Sequence, residues 1–225
     1  MGIYLNPGND EYKRAINSEI YVDKTELIAV TNRKLNTEHQ NICVSRPRRF
    51  GKSMAANMLV AYYCKNVDSR DIFSGFKIAN DETFEKHLNK YNVIHINMID
   101  FLSRAASVDD LIDYLQRRLL WDIKKEYSDV DCFDWNDLVD VLETVYSEKK
   151  LPFVIIIDEW DCIFRKYPDN VEEQKKYLDF LRFFIKGKSY VALAYMTGIL
   201  PIKKYGEHSA LNMFDEYSMT NQREL

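Results

Sequence analysis

Phe153-Val154-Ile155-Ile156-Ile157 is an unbroken apolar run that ends on Asp158-Glu159. A run this short, rich in β-branched residues and with no polar face, fits a strand covered on both sides. Strands of that kind belong to parallel sheets, whose crossover connections are usually helices. The rest of the chain repeats the pattern. Residues 41–45, 93–99 and 190–196 read as further strands, and a short one is expected near 216–219. Between them lie amphipathic stretches. Residues 52–65 carry Met54, Met58, Leu59 and Tyr62 on one side. Ser107-Val108-Asp109-Asp110 resembles a capping box ahead of Leu111, Leu115, Leu119 and Ile123 at helical spacing. Asp134 is expected to cap a helix bearing Leu138, Leu142 and Val145, and Asn170 to open one over 170–185 that stops before Gly187. The pattern therefore predicts an α/β fold.

The 225 residues are 46% apolar, enough for one sizeable core, and only 7 Gly and 5 Pro leave no long flexible linker. A single domain over 1–225 is expected, with a less regular lead-in over 1–38 and a helix start near Asp23-Lys24-Thr25-Glu26. A net charge of -4 argues against a surface built wholly for nucleic acid. Cys43, Cys64, Cys132 and Cys162 form no CxxC pair and no His-containing ligand spacing, so a zinc site is not expected. The start of the chain lacks a secretory pattern, Asn6 breaks the myristoylation motif, and no run of 18 apolar residues exists. A cytoplasmic protein without membrane association is the expectation.

Arg46-Pro47-Arg48-Arg49-Phe50-Gly51-Lys52-Ser53 follows one predicted strand and opens the predicted helix over 52–65, and with Met54 it makes up the expected nucleotide-binding segment. That is the setting of a Walker A phosphate loop. Backbone N–H groups at a helix start point at an anion, and the helix dipole favours it. Gly51 allows close approach to phosphates, Lys52 supplies a positive charge to the β- and γ-phosphates, and Ser53 offers a hydroxyl to Mg²⁺. The general motif begins with Gly where this chain has Arg46. Arg46 precedes proline and is pushed towards extended backbone, which needs no glycine. A basic surface loop before a helix could hold Gly-Lys-Ser too, but would not explain the acidic pair downstream. Asp158 stands at the end of a buried parallel strand, where α/β sheets bind ligands, and fits a Walker B magnesium ligand. Glu159 then fits the general base that activates water. Asp161 reads as a helix-start cap. Thr197, at the end of the next strand, fits either a contact to the γ-phosphate or attacking water, or a strand-end hydroxyl bonded to backbone.

These residues resemble the predicted AAA-ATPase-like family, distant relatives of the AAA+ and STAND NTPases. The resemblance rests on Tyr21-Val22-Asp23-Lys24-Thr25, on residues 45–53, on Phe73-Ser74-Gly75-Phe76-Lys77-Ile78, on Ile156-Ile157-Asp158-Glu159, on Thr197-Gly198-Ile199-Leu200-Pro201-Ile202 and on Ser209-Ala210-Leu211-Asn212-Met213-Phe214. In that family the Arg-Pro-Arg-Arg-Phe-Gly-Lys-Ser form is usual. The resemblance implies a P-loop NTPase of the ASCE type: three α/β/α layers around a mainly parallel five-stranded sheet, with residues 93–99 as the extra strand between the Walker motifs. It implies ATP and Mg²⁺ as ligands and a further partner, protein or nucleic acid. It also implies that the helical lid and nuclease-like regions of relatives are missing from this chain. Two functions compete: an ATPase whose cycle drives a conformational change, favoured by Glu159, and a nucleotide-gated binding module with little turnover. A small-molecule kinase fits the Asp158-Glu159 pair poorly. Arg46, Arg48 and Arg49 read equally as phosphate or partner contacts and as solvated loop charge. Oligomeric state is left open.

Overall fold

A computed structural model describes residues 2–202 and 211–218. Its sheet has the order β2-β3-β4-β1-β5. The strands are β1 Asn41–Ser45, β2 Asn92–Asn97, β3 Phe153–Asp158, β4 Val191–Gly198 and β5 Asp215–Tyr217. Every pairing is parallel. The helices ahead of β2 are α1 Asp10–Ile16, α2 Glu26–Lys34, α3 Lys52–Tyr63, α4 Arg70–Phe73 and α5 Phe84–His87. Those after it are α6 Met98–Leu102, α7 Val108–Glu126, α8 Leu138–Lys149, α9 Cys162–Lys166 and α10 Val171–Ile185.

Alternation along β3 sorts the core into two clusters. Phe153, Ile155 and Ile157 pack with Leu115, Leu119, Leu142 and Phe184 from α7, α8 and α10. Val154 and Ile156 pack with Met58, Leu59, Tyr62 and Ile28 from α3 and α2. The result is three layers, and each buried Ile, Leu or Val adds about 1.5–3 kcal/mol relative to exposure. Because successive strand residues face opposite ways, Asp158 belongs to the same face as Ile156, the face covered by α3.

Several expectations shift by a few residues for local reasons. β2 ends at Asn97 because the Asn97 side chain accepts the Ile99 N–H at 3.1 Å and caps α6, so residues 98 and 99 are helical. Asp134 does not cap α8; Asp137 does, accepting the N–H groups of Val139 at 2.8 Å and Asp140 at 3.1 Å. Asp134 instead accepts the Asn136 N–H at 2.8 Å in the preceding turn. Ser107 caps α7 through the Asp110 N–H at 3.1 Å, while Asp110 reaches back to the Ala106 N–H, one residue before the cap. The lead-in holds α1 and α2, and Leu5 bridges Ile94 antiparallel beside β2. β2 lies between the two motifs in sequence but at the sheet edge in space; the strand that separates β1 from β3 is β4. Residues 209, 210 and 219, part of two expected segments, lie outside the described residues. Among the described residues, no helix is long and apolar enough to cross a membrane.

Candidate functional site

The loop after β1 keeps the sheet's register for one more residue. Ser45 pairs with Gly198, and the Arg46 N–H donates to the Gly198 carbonyl at 3.1 Å. Arg46 does not take a positive φ, so the first position of the loop needs no glycine. The chain then turns through left-handed backbone at Arg49 (φ 70°) and Gly51 (φ 77°). Gly51 is the N-cap of α3, and no side chain caps that helix. The first α3 bond runs from the Ala55 N–H to the Gly51 carbonyl at 2.9 Å. The N–H groups of Lys52, Ser53 and Met54 precede it and have no intrahelical acceptor, as at any helix start. They form a cradle for an anion at the positive end of the dipole.

Lys52 is buried and folds back over the loop, its Nζ donating to the Pro47 carbonyl at 3.1 Å. Ser53 is exposed in the first turn of α3, Met54 is half-buried, and Pro47, Arg48, Arg49 and Phe50 are exposed. Lys24 adds a cation that the phosphate-loop pattern does not contain: its Nζ donates to the Phe50 carbonyl at 3.1 Å. The turn carrying Lys24 is pinned by Asp23, which accepts the N–H groups of Thr25 at 2.8 Å and Lys77 at 3.0 Å. Burial pushes the Asp23 carboxyl up, but those backbone donors outweigh it and hold the group below its usual range. Between this turn and α3 lies a cleft of about 360 Å³ lined by Lys24, Leu27, Val44, Lys52, Ala55 and Tyr195.

Asp158 ends β3 almost fully buried, 2% exposed. Its Oδ1 accepts the Glu159 N–H at 3.0 Å and the Thr197 hydroxyl. Thr197 therefore bonds a carboxylate in place of backbone, and it stands beside Val44 at the root of the phosphate loop. The order β3-β4-β1 makes Thr197 the bridge between the two motifs. Glu159 sits in left-handed backbone (φ 56°), and its carboxylate is bound by the Arg165 guanidinium from α9. Asp161 occupies the N-cap position of α9 but makes no side-chain cap there. Its Oδ2 accepts the N–H groups of Ile199 at 3.1 Å and Leu200 at 3.0 Å, which fixes the segment after β4.

Ser53 offers a hydroxyl and Asp158 a carboxylate, oxygen donors of the kind Mg²⁺ takes alongside phosphates and water. Among the described residues, no group of three or more His, Cys, Asp or Glu could hold a metal by itself. The four cysteines are buried, and burial pushes the thiols of Cys43 and Cys162 up.

A family model described as a predicted AAA-ATPase matches residues 8–206. Among solved structures, the chain is similar to the ORC2 protein of Aeropyrum pernix in ADPNP-ADP complexes. The identity is 9% and the TM-score 0.46, over 91% of this chain and 51% of that one. It is also similar to Cdc6p from Pyrobaculum aerophilum, at 14% identity and TM-score 0.34, over 89% of this chain and 48% of that one. The chain thus spans about half the length of these structures. No functionally curated protein matches it.

Proposed function

The chain belongs to the predicted AAA-ATPase family, and from that premise we propose that it binds ATP with Mg²⁺ and hydrolyses it. The observation that carries the reading is the uncapped start of α3 facing the same side of the sheet as Asp158, with Thr197 on the intervening strand bonded to Asp158. The backbone N–H groups of Lys52, Ser53 and Met54 hold the phosphates. Lys52 leaves the Pro47 carbonyl to reach the β- and γ-phosphates. Ser53 and Asp158 hold Mg²⁺, which when bound neutralises phosphate charge and polarises the transferring group. Thr197, as hydroxyl donor, orients Asp158. Glu159 accepts the proton of the attacking water. The base and ribose enter the cleft between the Lys24 turn and α3, where Leu27, Val44 and Ala55 supply apolar surface. The exposed Arg48 and Arg49 remain available to phosphate or to a partner, protein or nucleic acid. Residues 1–225 act as one nucleotide-binding unit in the cytoplasm, with hydrolysis driving a conformational change.

A second reading, a nucleotide-gated module with little turnover, is favoured by one observation: Lys52 and Glu159 are both engaged by partners within the chain. One experiment separates the two. Calorimetry should show ATP affinity falling about 10- to 100-fold in Lys52→Ala, the worth of a charge-assisted contact at 1.4 kcal/mol per tenfold. Glu159→Gln should keep that affinity and lose about 10²-fold or more in turnover. Unchanged affinity in folded Lys52→Ala sinks the phosphate-loop assignment. A parent that binds ATP without releasing phosphate leaves the gated module standing.

A further inference from the structure

The carboxylate of Glu159 and the guanidinium of Arg165 are paired, but the pairing is unequal. Among the described residues, Arg165 is the side-chain partner that Glu159 has. Arg165 has a second acidic neighbour: its Nε lies 3.5 Å from Asp161 Oδ2. Its backbone N–H also donates to the Asp161 carbonyl at 3.3 Å. Asp161 is fully buried, fixed by the Ile199 and Leu200 N–H groups, and a buried carboxylate needs a countercharge nearby. Arg165 thus keeps an acidic neighbour at ion-pair distance, without a hydrogen bond from its Nε, whether or not it holds Glu159. The Glu159 side chain is 18% exposed and can leave without stranding a buried charge. Its backbone is held in the left-handed region by a short set of bonds. The Glu159 N–H donates to Asp158 at 3.0 Å, and the Trp160 N–H donates to the Thr197 carbonyl at 3.0 Å. Left-handed backbone at a non-glycine residue is costly and persists only where its surroundings impose it.

We propose that Arg165 is a positioning residue that latches Glu159 away from water, so that the chain's turnover is set by how often Glu159 is released. This rests on the reading of Glu159 as general base. Arg165 binds Oε2 and leaves Oε1 open, but a guanidinium on one oxygen draws charge from the whole carboxylate and fixes its rotamer, so the group is a weaker and less mobile base while the pair is made. The latch sits beside the segment that follows Thr197, because Asp161 ties Arg165 to residues 199 and 200. A displacement of the end of β4 thus reaches the residue that holds the base.

The test uses the full chain, with ATP affinity read by a fluorescent ATP analogue and turnover by phosphate release. Because Arg165 is also the countercharge of buried Asp161, its removal is read in an Asp161→Asn background, which keeps an oxygen for the Ile199 and Leu200 N–H groups and leaves no buried charge unpaired. There Arg165→Met should raise kcat about fivefold or more over Asp161→Asn alone while the ATP Kd stays within about twofold, since releasing the pair removes one competing state. Arg165→Lys, which keeps the charge, should bring kcat back towards that of Asp161→Asn alone. The rise should vanish when Glu159→Gln is added. Should Arg165→Met fail to bind ATP, Arg165→Gln takes its place and the same rise is required of it. A kcat that is unchanged or lower in a variant that still binds ATP overturns the latch, while parent turnover leaves the ATPase reading intact. Phosphate release absent from parent and variants alike, with ATP bound, overturns the latch and the hydrolysis reading together.

Discussion

At Gly198 a single missing methyl group holds the site together. A Cβ there would stand 2.6 Å from Trp160 Cδ1 and 2.8 Å from Asp161 Oδ1. Trp160 is fully buried and Asp161 is pinned, so neither neighbour can yield cheaply. Gly198→Ala is expected to destabilise by about 1–3 kcal/mol, the usual cost of overpacking. At about 2–4 °C per kcal/mol for a chain of this size, a thermal melt reads the change directly. An unaltered melting midpoint would show that Trp160 moves freely. This scale also marks what a linear reading can reach. That Lys52 and Ser53 open a helix just after Gly51, and that Asp158 ends a strand ahead of Glu159, was legible because each placement follows from spacing within one strand–loop–helix or one strand end. Arg165 and Lys24 were not, because each acts on a carbonyl or carboxylate that only the folded chain brings near. Asp161 shows a mixed case: its position at a helix start was legible, but its carboxylate serves two N–H groups 38 and 39 residues away.

Among the elements, α8 shows how narrow the choice between neighbouring caps can be. Asp134 and Asp137 both precede an apolar helical stretch, and periodicity does not distinguish them. Asp137 wins because it lies immediately before Leu138, which is buried, so the helix begins as soon as its apolar face does. Asp137→Ala should cost about 1 kcal/mol, as loss of an N-cap does, while leaving ATP affinity unchanged because α8 packs on the opposite face from α3. The paired measurement is a denaturant melt and a binding titration; altered affinity would mean that the two faces are coupled through the sheet. β3 was the most legible element, since an all-apolar run leaves few alternatives. β2 was readable as a strand but not in its end, because the Asn97 cap converts the apolar Met98 and Ile99 into helix.

Across the whole molecule, the sheet order is what sequence periodicity could not supply. Nothing in residues 190–196 says that their strand stands between β1 and β3; that follows only from the register Val44 to Thr197 and Ile157 to Met196. The consequence for ligand binding is cooperative. Ser53 comes from the start of α3 and Asp158 from the end of β3, so ATP and Mg²⁺ together should tie the two elements. A ligand at a hundredfold excess over Kd adds about 2.7 kcal/mol. That corresponds to a midpoint shift of about 5–11 °C with both present, and less with ATP in chelator. Equal shifts with and without magnesium would remove Ser53 and Asp158 as a metal site. The same topology also sets a timetable. During synthesis β1 emerges about 150 residues before the strand that must lie against it, as the pairing of Asn41 with Ala194 shows. Until residue 198 is available, β1 and β3 have no common neighbour, and no hairpin or local contact can substitute for it. A nascent chain can therefore hold both motifs in full and still have no nucleotide site, and the capacity to bind arrives abruptly when β4 is threaded into the gap.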